Sequence, residues 1–329
     1  MKQFLVCVCL LLAGCVSPGV QAGYIETPSG LAPTQTNQAP IPTGTPTPAP
    51  QPSATPTLAP SPTAAPVYFT GAGDISICGQ DGDDQTAKLL ANIPGQLFTA
   101  GDNSNEDGAE WQYTRCFEES WGQFKDRLRP APGNHDYNTP GAQPYFAYFG
   151  AAAGNPGEGW YSYDYGGWHI IVLNSNCNDV ACGKNSPQVT WLREDLAASD
   201  ALCTLAIWHH PRWSSGMAGS DGRMSAAFRA LYEAGAEIVI SGHDHDYERL
   251  APLDADGKRD PERGIRQFVV GTGGAYFRPF LNLLPESEAN KSFAFGVLRF
   301  TLRPDSYDWK FIPIEGVEYE DSGSGVCHE

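Results

Sequence analysis

Short apolar runs typical of buried strands alternate with helix-like segments from Val67 onward. The first run, Val67 to Gly73, is followed by a helix-like stretch from Asp84 to Asn92 and a second apolar run from Gln96 to Ala100. The alternation continues with strand-like runs at 168–173, 202–208, 237–241, 267–271 and 293–302 and helix-like runs at 186–198 and 225–234. This order predicts an α/β fold with a layered core, in which ligands gather beyond the carboxyl ends of the strands.

Residues 16–66 lack any such pattern. They contain a single charged residue, Glu26, and are dominated by Pro, Thr and Ala. A segment of this composition cannot bury a core and favours extended polyproline geometry. We therefore expect a disordered Pro/Thr-rich stalk over 16–66, followed by one folded domain over 67–329.

Residues 1–15 combine one Lys, an apolar run and the sequence Leu12-Ala13-Gly14-Cys15. The segment resembles a bacterial lipoprotein signal peptide, and the resemblance implies acylation of Cys15, export and attachment to a membrane through that lipid. The apolar run is too short for a permanent transmembrane helix. An ordinary cleaved signal ending near Ala22 is the alternative.

Composition narrows the possible partners. The chain has 21 Lys and Arg against 38 Asp and Glu, a formal net charge of −17. Such a surface cannot neutralise a nucleic-acid backbone, so we expect no nucleic-acid binding surface. A small phosphorylated substrate remains compatible, because bound metal ions can dominate the local field. The sequence does not indicate an oligomeric state.

Cysteine usage agrees with export. Removal of the signal, with Cys15 acylated, leaves six cysteines: Cys78, Cys116, Cys177, Cys182, Cys203 and Cys327. An even number in an exported protein predicts disulfides, with fifteen possible pairings. Cys177 and Cys182 are close enough in sequence to close one loop, while the pairing of the other four stays open.

Histidines are clustered at the ends of the strand-like runs. Of seven histidines, five fall in three groups, and we expect ordinary packing roles for His169 and His328. Asp, Asn and Gly accompany them in four motifs: Gly73-Asp74, Gly101-Asp102, Gly133-Asn134-His135-Asp136 and Gly242-His243-Asp244-His245. The glycines are expected to let the backbone turn so that the acidic side chains share one direction.

The spacing of His243 and His245 points to metal ions. Residues two apart in extended backbone project to the same face, so both imidazoles can reach neighbouring ions. Two-metal hydrolases keep their ions roughly 3.5–4 Å apart. Carboxylate, amide and imidazole ligands suit Fe, Zn or Mn, and we expect two such ions, the identity of the pair remaining open.

With Trp208-His209-His210-Pro211, these motifs resemble, in order, those of the calcineurin-like metallophosphoesterases. The strings from His243 to Arg249 and from Asn134 to Asp136 are most similar to the purple acid phosphatase branch. The resemblance covers Val67 to Gly274. It implies a four-layer α/β/β/α sandwich of two mixed sheets, with the site at the strand ends.

The resemblance also implies a role for each matching residue. Asp74 and His245 would bind the first metal, and Asp102 would bridge both. The second metal would be held by Asn134, His209 and His243. His209 is preferred to His210 because the family ligand stands two residues before the Pro; His210 would contact substrate or pack. His135 would face the leaving oxygen as general acid, with Asp136 holding it protonated.

Two positions depart from the family pattern. Purple acid phosphatases carry a Tyr three residues after the bridging Asp, where this chain has Asn105. Other branches carry a His two residues after the first Asp, where this chain has Ser76. The first metal is therefore one protein ligand short by either pattern. The amide oxygen of Asn105, or water, would fill the position.

The function implied is hydrolysis of phosphate monoesters by a hydroxide that the metals activate. A phosphodiesterase or nucleotide-cleaving enzyme on the same site is the alternative among enzymes. A degenerate surface module that binds metal or phosphate without turnover is the alternative among binding proteins.

Overall fold

The computed structural model describes residues 65–328. The predicted signal segment with Cys15, and the predicted stalk except for its last two residues, lie outside the described residues. Within the described part, no helix is both long and apolar enough to cross a membrane.

Strands make up most of the regular structure. Those described are β1 (Val67–Ala72), β2 (Gln96–Ala100), β3 (Leu128–Ala131), β4 (Tyr161–Tyr165), β5 (Trp168–Val172), β6 (Cys203–Ile207), β7 (Ile238–Ser241), β8 (Tyr247–Leu253), β9 (Ile265–Val270), β10 (Ser287–Lys291), β11 (Gly296–Arg303), β12 (Ser306–Pro313) and β13 (Ser322–Val326).

The α-helices are α1 (Gly82–Ala91), α2 (Glu110–Gln112), α3 (Gln143–Phe149), α4 (Pro187–Ala198) and α5 (Ser225–Glu233). One π-helical turn covers Tyr113–Phe117. Short 3₁₀ segments occupy Trp121–Arg127, Asp136–Asn138, Pro140–Ala142, Gly150–Ala153 and Gly222–Met224.

The strands form two mixed sheets. The first has the order β13-β12-β11-β1-β2-β3, with β1, β2 and β3 parallel. The second has the order β10-β8-β9-β7-β6-β5-β4, with β9, β7, β6 and β5 parallel. The remaining pairs are antiparallel, so the prediction of two mixed sheets is confirmed.

The two sheets face each other across an aromatic core. Phe300 of the first sheet and Phe268 of the second are in direct contact, with ring centroids 5.3 Å apart. On β5, Ile170 and Val172 belong to this core, while Ile171 packs on the opposite face against α4 and α5. Successive strand residues point to opposite faces, so a fully apolar strand serves both layers. Helices thus cover a pair of sheets, as the four-layer prediction requires.

Some strands differ from the expectation for physical reasons. The strand predicted from Phe293 begins at Gly296, because Phe293 has a φ of 57° and is 60% exposed. β3, which contains Pro130, was not predicted. Proline lacks the N–H that an interior strand needs, but β3 lies at the edge of its sheet, where that loss is tolerated.

Three disulfides join the described cysteines. Cys177 pairs with Cys182, which confirms the predicted loop closure. The remaining pairs are Cys78–Cys116 and Cys203–Cys327. The last bond fastens the segment after β13 to the first residue of β6.

Candidate metal centre

The predicted ligands come from both sheets and meet where the parallel strands end. Asp74, Asp102 and Asn134 follow β1, β2 and β3, while His209 and His243 follow β6 and β7. Backbone hydrogen bonds close the gap between the sheets: the N–H of Gly73 donates to the carbonyl of Val270 at 2.9 Å. The carboxyl ends of β1 and β9 are thereby held together.

Four of these side chains surround one point. The Nε2 atom of His209 lies 3.1 Å from Oδ1 of Asn134 and 3.2 Å from Oδ2 of Asp102. It lies 3.2 Å from Nδ1 of His243. Across residues 65–328, Asp102, His209 and His243 are the one group of three carboxylate, imidazole or thiolate side chains whose ligand atoms all lie within 4.8 Å of one another. These are the four residues expected to hold the second metal.

Backbone carbonyls orient two of the imidazoles. Nδ1 of His209 lies 2.8 Å from the carbonyl oxygen of Ala100, and Nδ1 of His245 lies 2.6 Å from that of Tyr276. A carbonyl only accepts, so each Nδ1 carries a hydrogen and each Nε2 faces the cluster, where it could bind a metal ion once it is deprotonated. This is the orientation that metal-binding histidines adopt when their other nitrogen is fixed by a hydrogen bond.

The first half of the centre contains Asp74, His245 and Asn105. Nε2 of His245 lies 3.1 Å from Oδ1 of Asp74. Asn105 donates its Nδ2 hydrogens to Oδ1 of Asp74 at 3.3 Å and to Oδ2 of Asp102 at 3.1 Å. Its own Oδ1 is buried without a hydrogen-bond partner. Rotation of the side-chain amide by a half-turn would direct Oδ1 at the space between the two carboxylates. The oxygen and nitrogen atoms present would then fit as ligands of two metal ions.

The backbone of three predicted ligands is strained. Asp74, Asp102 and His243 have φ values of 58°, 50° and 70°, in the left-handed region that few residues other than Gly adopt. Such conformations each cost about 1–3 kcal/mol and occur preferentially at functional sites. The glycines before these residues were expected to make the turns, but apart from Gly101 the positive φ values belong to the predicted ligands themselves.

The preceding glycines have a different role. A Cβ atom on Gly133 would lie 2.1 Å from Oδ1 of Asp102, and one on Gly242 would lie 2.6 Å from Oδ2 of Asp74. Neither glycine has a positive φ, whereas Gly101 does, at 86°. These residues are small because the carboxylates pass against their backbone.

The cluster favours a positive charge at its centre. Burial works against charge on His209, but the adjacent carboxylate of Asp102 outweighs it and raises the pKa of His209 to about 9. Burial alone would raise the pKa of Asp102, yet the imidazoles of His209, His135 and His243 hold it well below its usual range. Asp102 is therefore ionised and poised to bind a cation.

His135 lies at the rim of the cluster. Its backbone N–H donates to Oδ1 of Asp102 at 2.8 Å, and Nε2 of its ring lies 3.9 Å from Oδ2 of the same residue. Its Nδ1 lies 2.7 Å from the carbonyl oxygen of Glu106. The side chain is 23% exposed, so Nε2 is directed toward the cluster from its solvent side.

The expected support of His135 by Asp136 is wrong in this structure. Asp136 is fully buried, and its carboxylate accepts hydrogen bonds from the N–H of Gly133 at 2.8 Å, from Nδ2 of Asn103 at 3.0 Å and from the hydroxyl of Tyr113. The carbonyl of Glu106, not Asp136, orients the ring of His135. Asp136 instead ties the ligand loop to the rest of the domain, and burial raises its pKa.

His210 lies beside the cluster. Its ring centroid is 4.5 Å from that of His243, and its Nδ1 lies 2.8 Å from Oγ of Ser175. Burial and the neighbouring imidazoles of His209 and His243 lower its pKa to about 2, so it is neutral. Neither Ser175 nor the orienting carbonyls were predicted from the sequence. Every residue has a backbone carbonyl, so residue type does not indicate which one will accept from an imidazole.

A sandwich of two mixed sheets whose parallel strands deliver Asp, Asn and His side chains to one point defines a class of metal-centred α/β proteins. The family model described as calcineurin-like phosphoesterase matches residues 68–247, and the chain belongs to this family.

Relatives agree with this assignment. Purple acid phosphatase 15 of Arabidopsis thaliana is 30% identical over 47% of this chain and 32% of its own length. Purple acid phosphatase 18 of the same plant is 26% identical over 70% of this chain and 55% of its length. The chain thus spans between a third and about half of these relatives. A purple acid phosphatase from yellow lupin seeds shares the fold, with a TM-score of 0.66 at 19% identity, covering 79% of this chain and 54% of the lupin chain.

Proposed function

We propose that this protein hydrolyses phosphate monoesters at a centre of two metal ions. The convergence of Asn134, Asp102 and His243 on Nε2 of His209, each within 3.2 Å, carries the proposal. Membership of a phosphoesterase family and the purple acid phosphatases among its relatives support it.

Each side chain of the cluster has a proposed role in metal binding or proton transfer. Asp74, His245 and Asn105 would hold the first ion, with Asp102 shared between both ions. Asn134, His209 and His243 would hold the second. When bound, such ions supply an activated water and neutralise charge on the phosphoryl oxygens. His135, at the exposed side of the cluster, donates a proton from Nε2 to the departing oxygen.

The proposal is tested by elemental analysis of the purified protein together with turnover of monoesters and diesters. We expect about two metal ions per chain and a higher kcat/KM for 4-nitrophenyl phosphate than for bis(4-nitrophenyl) phosphate. His209→Ala should lose metal and turnover together. His328→Ala is the control, since His328 contacts Gly235 near the start of β7, away from the strand ends that carry the ligands.

Other outcomes identify the alternatives. A higher kcat/KM for the diester would replace the monoesterase assignment by a phosphodiesterase. Bound metal without turnover of any ester would indicate a binding module and contradict the enzymatic proposal.

We infer that Asn105 binds the first metal through Oδ1, which is buried without a hydrogen-bond partner. Asn105 would thereby replace the Tyr phenolate of the purple acid phosphatase pattern. A protein loaded with ferric iron should then lack the visible band that a phenolate ligand produces, and Asn105→Tyr should create one. Asn105→Ala should lower metal content without any band. Absorption spectra and metal stoichiometry measure both; an identical metal content in Asn105→Ala would count against the ligand role.

We also propose export and attachment to a membrane through lipid on Cys15. Three disulfides among the described residues support an oxidising location. Labelling of cells with a fatty-acid analogue should mark the wild type but not Cys15→Ser. Labelling of both would place the lipid elsewhere, and labelling of neither would favour a simple cleaved signal.

A further inference from the structure

The segment after β9 is fastened to a ligand of the first metal half. The carbonyl oxygen of Tyr276 accepts from Nδ1 of His245 at 2.6 Å, and the N–H of Arg278 donates to the carbonyl of His245 at 3.4 Å. The ring of Tyr276 also packs against the imidazole, with centroids 4.4 Å apart. Three contacts therefore fix this segment beside the metal centre.

Arg278 presents a cation at that edge. Its Nη2 donates to the hydroxyl of Tyr276 at 2.8 Å, and its guanidinium carbon lies 5.2 Å from the centre of the Tyr276 ring. Within the described part of the chain, no carboxylate lies within 4.0 Å of its nitrogens, although the chain carries an excess of 17 negative charges. Its remaining donors are free for a ligand.

Arg223, near the other half of the centre, is different. Its guanidinium donates from Nε to Oδ1 of Asp221 at 3.1 Å and from Nη2 to Oδ2 of the same residue at 2.6 Å. Its charge is thereby paired with that of Asp221, and its Nε and Nη2 donors are occupied. The two sides of the cluster thus differ: Arg223 is paired with a carboxylate, whereas Arg278 is not and can bind an anion.

We propose that Arg278, oriented by Tyr276, binds a second anionic group of the substrate, so that the site prefers phosphate compounds carrying two phosphoryl groups. The proposal rests on the proposed function, because the first phosphoryl group must occupy the metal cluster. A planar guanidinium suits this role, since its donors match pairs of phosphate oxygens.

The test compares ligands that differ in one anionic group. Calorimetry measures binding of methylenediphosphonate and of methylphosphonate to the metal-loaded full chain. The ratio of the two affinities should fall roughly 10- to 100-fold in Arg278→Ala, as expected for a charged hydrogen-bonding group. Arg278→Lys should restore part of the ratio. Arg303→Ala, which removes an arginine beside the start of β1, should leave it unchanged.

Turnover gives a second readout. The preference for ADP over AMP in kcat/KM should fall in Arg278→Ala in parallel with the binding ratio. An unchanged binding ratio would overturn the proposal, as would a metal-loaded wild type that binds methylenediphosphonate no more tightly than methylphosphonate. A protein that hydrolyses no ester but shows the expected ratio would overturn the proposed function and keep the subsite.

Discussion

At the scale of single residues, the candidate site is built from predicted ligands with a strained backbone and from glycines that make room for them. Motif order indicated which side chains would meet, because residues that follow parallel strands share one edge of a sheet. It could not indicate that Asp74, Asp102 and His243 would adopt positive φ. Nor could it reveal the carbonyls of Ala100 and Tyr276 that orient His209 and His245.

Gly101 gives the clearest test of this close packing. A Cβ atom there would lie 2.4 Å from Nδ1 of His209. Gly101→Ala should therefore displace the imidazole and lower metal content and turnover. Gly316→Ala is a matched control: its φ of 87° is nearly that of Gly101, at 86°, but nothing lies within 4 Å of the added atom. Equal metal loss in both variants would assign the effect to backbone strain alone.

His135 should affect chemistry without affecting metal binding. Its ring reaches the cluster from the rim, with Nε2 3.9 Å from Oδ2 of Asp102, and four other side chains surround the proposed position of the second metal. Loss of a general acid costs about 10²- to 10⁴-fold in rate. His135→Ala should show such a loss for alkyl phosphates and a smaller one for aryl phosphates with good leaving groups. Unchanged turnover of alkyl phosphates would remove His135 from the mechanism.

At the scale of elements, most of the strands that could be predicted from the sequence are mainly apolar runs. β5 and β6 are buried along their whole length, as parallel strands covered on both faces must be. β3 and β10 were not predictable: one contains Pro130, and the other reads Ser-Glu-Ala-Asn-Lys with a single apolar residue. Their pairing depends on neighbours that a local pattern does not contain.

A histidine predicted to have an ordinary role joins three elements. The Nδ1 and Nε2 atoms of His169 on β5 lie 3.0 Å from Asp164 on β4 and 2.9 Å from Asp195 on α4. The hydrogen bond to Asp195, against an opposing effect of burial, raises its pKa above 6.5.

The pH dependence of stability follows from this shift. A folded pKa above the unfolded value stabilises the fold fully below about pH 6.5, and the contribution is lost as pH rises through the folded pKa. The difference in free energy of unfolding between the wild type and His169→Gln should therefore shrink from pH 6.5 upward. Denaturant titrations at several pH values measure it; a difference that grows with pH would contradict the assignment.

At the scale of the whole molecule, the Cys203–Cys327 disulfide spans most of the second sheet's sequence. The two residues are 124 positions apart, against 5 for Cys177 and Cys182. Closing a longer loop restricts the unfolded chain more, so the chain-entropy model gives about 5 kcal/mol for the first bond and about 2 kcal/mol for the second.

Removing each disulfide by paired Cys→Ser substitution tests that difference. We expect the larger loss of unfolding free energy when Cys203 and Cys327 are replaced, measured by guanidinium denaturation. The Cys177/Cys182 pair is the matched control, since it also removes one bond from the same protein. Equal losses would show that strain or residual unfolded structure, rather than loop length, sets the stabilisation.

The placement of the two ends of the described chain has a practical consequence. β1 begins at Val67, and Cys327 is bonded to Cys203 at the beginning of β6, whereas the predicted ligands Asp74 and His209 follow the far ends of these same strands. Val67 and Cys327 therefore both lie at the side of the domain opposite the candidate metal centre. Immobilised on a bead or electrode through either end, the protein should expose its centre to the bulk liquid, and a linker there should not obstruct substrate entry.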